Sequence, residues 1–82
     1  MYHVDVDPTL EAQISALPAS LLNALAEAIA MLELTPWNCP PINEDNPSGA
    51  VRTILLGDDC ILTFLILEDQ HRVDLLEVVW LG

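Results

Sequence analysis

The chain has 82 residues, 13 of them Asp or Glu and only two Lys or Arg, for a formal charge of −11, and 52% of its residues are hydrophobic. Such a field repels phosphate backbones and two arginines cannot make a patch that neutralises them, which excludes free DNA or RNA binding and suits a basic protein partner. One short domain with a single Phe, a single Tyr and two Trp implies a core of Leu, Ile, Val and Ala, with apolar surface left over for a homodimer or a tight complex.

The first stretch, YHVDVD, alternates polar and apolar residues before Pro8 and predicts a short strand. It lacks the basic start and apolar core of a secretory signal. No apolar run reaches membrane-spanning length either, so the expectation is a cytoplasmic chain with reduced cysteines. Asp7-Pro8 then supplies an N-cap and a first helical residue. Leu10, Ile14 and Leu17 line one face of a short helix that Pro18 interrupts. A second helix follows over PASLLNALAEAIAMLELTP, where Leu21, Leu22, Leu25, Ala28, Ile29 and Leu32 form a broad apolar face. Thr35-Pro36 ends it, and the two helices are expected to pack as a hairpin on a flat surface.

Residues 35–49 hold four of the six prolines and predict an ordered or semi-ordered loop, pinned to the body by Trp37 and Ile42. After Gly49, the runs AVRTILL, CILTFLIL and RVDLLEVVWL are joined by GDD and EDQH, which predicts a three-stranded antiparallel meander. The almost wholly apolar run 60–67 belongs at its centre, with both faces covered or with one face in an interface. The fold expected for residues 1–82 is α+β: a strand, a helical hairpin, then the meander. The pattern does not place the first strand within the sheet.

Arg52 and Arg72 are the only permanent cations, and both fall on predicted strands. Arg52 reads as a phosphate or partner contact, or as a structural cation; charge balance favours an ion pair with Asp74 or Glu77 on a neighbouring strand. Alternation puts its stem on the face shared by Ile54 and Leu56. Arg72, beside Glu68 and Asp69, suits a local ion pair. His3 and His71 have no partner at metal-ligand spacing and read as strand and turn residues, so no metal or cofactor is expected. Cys60 follows Asp58-Asp59, which disfavour a thiolate, and reads as a buried, inert thiol. Cys39 sits in the loop, more exposed and without an assigned role; a Cys39–Cys60 disulfide is compatible with the spacing. The acids collect at EDN, GDD and EDQ, as solvated turns or as a face for a basic partner. Trp80 is either core or an interface anchor, and Phe64 and Trp37 are the other candidate interface aromatics.

Taken in order, strand, helical hairpin, Pro-rich loop and meander resemble the RelE/ParE superfamily of small bacterial toxins over nearly the whole chain. YHVDVDPTLEAQISALP is similar to the family's opening, LELTPWN to the start of its loop, and VRTILLGDDCILTFLI with RVDLLEVVWLG to its meander. The resemblance implies a toxin component with an antitoxin partner. It also implies ribosome-dependent mRNA cleavage, which resembles general acid–base work with electrostatic stabilisation of a pentavalent phosphate. Arg52 falls where members often carry a basic residue. Ile54 and Cys60 stand at two further basic positions of the ribonucleases, and Phe64, without a hydroxyl, at an aromatic one. The basic or histidine residues beyond the last strand have no counterpart after VVWLG. Arg52 and Arg72, the remaining catalytic candidates, do not make up that set. The expectation is a RelE/ParE-like toxin component without the full ribonuclease residues; the alternative is a non-catalytic, acidic, dimerising interaction module of the same fold.

Overall fold

The structure, a computed structural model, describes every residue except Pro47 and Gly82. Its elements are β1 (His3–Val6), α1 (Pro8–Ser15), α2 (Ala19–Leu34), β2 (Val51–Leu56), β3 (Cys60–Leu67) and β4 (Arg72–Trp80), with 3-10 turns at Pro36–Asn38 and Glu68–Gln70.

Local chemistry sets most of the boundaries. The Asp7 carboxylate accepts the Leu10 amide at 2.8 Å and Pro8 opens α1, so the first turn spends no unsatisfied donor at Pro8. Pro18 ends the connection and its carbonyl accepts the Leu21 and Leu22 amides at 3.0 and 3.1 Å, starting α2 without a side-chain cap. Leu21, Leu25, Ala28 and Leu32 form the buried stripe of α2, whereas Leu22, expected on that face, lies at its margin and is exposed. Thr35 closes the helix by donating its amide to the Met31 carbonyl.

The four strands form one sheet in the order β1-β4-β3-β2, with β1 parallel to β4 and the meander antiparallel. β1 therefore joins an edge, through pairs His3–Arg72 to Val6–Leu75. Gly57 opens the β2–β3 turn at φ 63°, and an added Cβ there would come within 3.3 Å of Leu21, so the turn needs glycine for conformation and for closeness to α2. At the β3–β4 turn His71 takes the left-handed conformation, φ 53° and ψ 45°, and its carbonyl accepts the His3 amide at 3.0 Å. A bulge at Leu76 interrupts the β3–β4 register between the pairs Thr63–Glu77 and Phe64–Leu75.

Both helices pack on one face. Leu10, Leu17, Leu21, Leu25, Ala28 and Leu32 meet Leu56, Cys60, Leu62, Phe64, Ile66, Val73 and Leu75 in a single core. Strand β3 alternates strictly, with Cys60, Leu62, Phe64 and Ile66 inward and Ile61, Thr63, Leu65 and Leu67 outward. The chain itself thus covers only one side of its central strand. Phe64, a candidate interface residue from sequence, is instead fully buried beneath the helices. Its position on the inward register of the central strand decides that. No helix among the described residues is long and apolar enough to cross a membrane.

The two faces should respond differently to truncation. Phe64→Ala is expected to destabilise the fold by about 3–5 kcal/mol in urea unfolding. Leu55→Ala, at a side chain 61% exposed, should stay within about 0.5 kcal/mol of wild type. Equal losses would mean that the outward face is also packed within the chain.

Candidate functional site

Arg52 lies on β2 opposite Phe64, pointing to the helix side, and is 6% exposed. Its Nε donates to the Gly49 carbonyl at 3.0 Å, and its Nη1 to the carbonyls of Cys39 at 2.7 Å and Trp37 at 3.2 Å. The guanidinium carbon sits 4.8 Å from the centre of the Trp37 ring. The cause lies in the loop around it. Prolines have no N–H, so a Pro-rich segment presents more acceptors than donors. Guanidinium offers five donors and no acceptor, and bonds that carry charge are stronger than neutral ones. The ring face adds a cation–π contact.

The same loop borders β2 through its backbone. Ile42 donates its amide to Val51 at 3.0 Å, Thr53 donates to Pro40 at 3.1 Å, and Pro41 bridges Arg52. Trp37 does help to hold the loop, but the Ile42 side chain does not: it is 58% exposed, and its backbone alone holds it. The expected ion pair of Arg52 with Asp74 or Glu77 is not formed. Strand β3 stands between β2 and β4, so those carboxylates are two strands away, and they lie on the face opposite to Arg52.

Asp74 is held by Arg72 instead, in a two-pronged pair with Nε–Oδ1 at 2.8 Å and Nη2–Oδ2 at 3.1 Å, which raises the arginine's pKa further. Arg72 therefore pairs along its own strand and not with Glu68 or Asp69. Glu68 is engaged elsewhere. Its Oε1 accepts the Tyr2 hydroxyl and the Trp37 indole N–H, both at 2.6 Å. The Tyr2 bond, then the Trp37 bond, holds the Glu68 carboxyl below its usual range, and the same Glu68 bond pushes the Tyr2 hydroxyl up. Tyr2 also packs against His71, ring centres 4.1 Å apart and planes tilted by 48°. The sequence reading missed this cluster because its members lie 31 and 66 residues apart. The available signal was chemical: Tyr and Trp carry polar tips that seek an acceptor.

Both cysteines are free thiols. Cys60 is buried, and burial first and Asp59 second push its thiol up. Cys39 corrects an expectation: it is buried at 6% exposure, and burial raises its thiol while Arg52 pulls the other way. Loop residues near Arg52 are drawn inward by the carbonyls it collects. Neither thiol is set up as a nucleophile. His3 is exposed on β1, and among the described residues no group of three or more His, Cys, Asp or Glu is placed to hold a metal. Trp80 is 42% exposed and donates its indole N–H to Asp59 at 3.3 Å, on the wall of a cavity of about 350 Å³ beside Leu21 and Gly57.

No protein-family model matches the chain, and no curated protein does. Solved structures do. Over 100% of this chain and 86% of the other, the isolated E. coli RelE toxin superposes with a TM-score of 0.79 at 13% identity. The chain has the RelE fold. A chain of the intact E. coli RelBE toxin–antitoxin complex covers 100% of it, 99% in return, with a TM-score of 0.75 at 16% identity. An E. coli RelE variant with two arginines changed to alanine, in complex with a RelBc antitoxin peptide, reaches 0.76 at 14% identity over 99% of this chain and 84% of its own. At such identities the likeness is one of fold. Within that RelE fold Cys60 and Phe64 are fully buried and Ile54 is packed against the core. Apolar residues at these three positions are what a helix-covered sheet face requires.

The two arginines should separate cleanly by stability. Arg52→Met leaves the carbonyls of Trp37, Cys39 and Gly49 without their donor and is expected to cost at least about 2 kcal/mol, since each unsatisfied buried group costs about 1–3 kcal/mol. Arg72→Met breaks a pair whose side chains are 36% and 28% exposed and should cost less than about 1 kcal/mol. Chemical unfolding with loop proteolysis checks both, and the reverse order would remove the structural role of Arg52.

Glu68 should carry a pH dependence. Because its folded pKa is depressed, its contribution is full above the ordinary Glu range and is lost as pH falls through the lowered folded value. The stability advantage of wild type over Glu68→Gln is therefore expected to shrink as pH drops below about 4.3. An advantage that stays constant to lower pH would contradict the two hydrogen bonds to that carboxylate.

Proposed function

We propose that this chain is the toxin-fold member of a toxin–antitoxin pair, acting in the cytoplasm by engaging a basic protein partner and not by cutting RNA. The observation that carries the reading is how the chain uses its cations. One guanidinium is enclosed by loop carbonyls and an indole ring, and the other is held by Asp74. Cleaving a phosphodiester needs cations and a proton donor or acceptor facing the phosphate. Positions that the family resemblance links to that work hold Ile54, Cys60 and Phe64 here, turned into the core.

An antitoxin partner is supported by the likeness to RelE, which is held by RelB in the E. coli complex. The partner's charge is supported by this chain's own −11. Like charges across an interface are costly, and a cationic surface would be steered to it.

Two measurements test the two halves. With translating ribosomes and the purified chain at micromolar concentration, primer extension is expected to show no cuts above a ribosome-only background. Cuts that scale with the chain and vanish with Arg52→Ala or Arg72→Ala would overturn the first half. Purified from its own cells, the chain is expected with a basic protein bound; a lone monomer in every growth condition would overturn the second.

A further inference from the structure

The β2–β3 turn carries an acidic pair, Asp58-Asp59, that neither arginine of the chain reaches. Arg52 is buried among the loop carbonyls, and Arg72 is paired with Asp74 at the start of β4. The turn lies at the other end of that strand, where Trp80 pairs with Cys60, roughly 25 Å away at about 3.3 Å per residue. Both histidines belong to the Arg72 end as well, His3 opposite Arg72 and His71 in the turn before it.

The cavity of about 350 Å³ opens beside this turn, lined by Asp58 and Asp59, by the apolar Pro18 and Leu21, and by Trp80. The end of β4 is tied there at two points. The Trp80 indole N–H donates to the Asp59 carboxylate at 3.3 Å, and the Leu81 amide to the Asp59 carbonyl at 2.8 Å. At 42% exposure Trp80 still offers ring surface to a ligand. Elsewhere the chain shows what an indole beside converging acceptors holds. In the loop, the Arg52 guanidinium sits 4.8 Å from the Trp37 ring centre and donates to three carbonyls. At the β2–β3 turn the same ring type stands beside carboxylates, which are stronger acceptors, and an open cavity.

We propose that this cavity is a binding site for an alkylguanidinium group. The planar cation stacks on an indole face, and its forked N–H donors match a carboxylate. A short alkyl stem covers Leu21 and Pro18. An Arg side chain of a protein and a free small alkylguanidine share this chemistry. An anion is the wrong ligand, because two full carboxylate charges outweigh the roughly half charge of the α2 N-terminus beside them. The inference goes beyond the toxin–antitoxin reading and does not depend on it, since it uses only the cavity and its lining.

Proton–nitrogen NMR of the full chain, titrated with butylguanidinium, tests this. The Trp80 indole N–H and the amides of Gly57, Asp58 and Asp59 are expected to shift together and saturate, with a Kd on the order of 1 mM. Butylurea, of the same shape without the charge, should leave them in place. Asp58→Asn with Asp59→Asn keeps the side-chain shape and an acceptor for Trp80, and should weaken binding about tenfold. Trp80→Leu, read at the Gly57 amide, should weaken it about threefold. Asp69→Asn, which removes one charge from the opposite turn, should leave it unchanged. The amide spectrum of each variant shows whether it is folded, and Asp58→Asn alone replaces the double variant if that one unfolds. A blocked Gly-Arg-Gly peptide separates the two sources: binding as tight as butylguanidinium assigns a protein side chain, weaker binding assigns a small free ligand, and both keep the site. Shifts that do not saturate, equal shifts with butylurea, or binding that survives the Asp58 and Asp59 changes overturn it. A loss in Asp69→Asn as large as in the double variant reduces the effect to net charge and overturns it as well. None of these readouts depends on a basic partner or on RNA cleavage, so this inference and the functional reading fail separately.

Discussion

The Arg52 guanidinium is the constraint on which the meander side of the molecule depends. A loop of 15 residues with four prolines is short of backbone donors, and its own amides close local turns such as Asn38 onto Thr35 and Asn46 onto Asn43. Its carbonyls converge on a single cation, delivered from β2 at the point where the loop runs alongside that strand. Burying a charge is costly unless its donors are used, and here Nε and Nη1 are used three times over. Trp37, held under the cation, then passes the order on to Glu68, Tyr2 and the β3–β4 turn. One residue thereby links the loop, the C-terminal end of β3 and the start of the first strand.

This internal use of cations shapes the surface. With Arg52 enclosed and Arg72 spent on Asp74, the carboxylates at the turns and on the outer sheet face have little internal compensation. A RelE fold so charged is suited to meeting a cationic surface and poorly suited to approaching a polyanion. The sheet's division into a helix-covered face and a bare one concentrates the remaining apolar surface where the acids frame it.

Much of this was legible in the sequence, where the cause was local. The Asp7-Pro8 cap, the Leu21–Leu32 stripe of α2, the meander and its turns follow from neighbours within a few residues. Ordered as they are, these elements also made the resemblance to RelE visible at an identity too low for a sequence match. What escaped was non-local. Parallel pairing of β1 with β4 joins residues about seventy apart, and strand order moved Arg52 two strands from its presumed carboxylates. Cys39 was placed outside because it sits in a polar loop, yet the carbonyl beside its thiol is bonded to a buried cation. Phe64 was judged by the kind of residue it is, whereas its register on β3 set its burial.

Arg52 is an internal scaffold and not a phosphate-facing group. Proton–nitrogen NMR on the Nε–H groups reads this directly, because the chain has only two arginines. The Arg52 Nε–H is expected to exchange slowly with solvent and to keep its chemical shift when phosphate or single-stranded RNA is added. Fast exchange together with a shift that saturates on adding either ligand would contradict it.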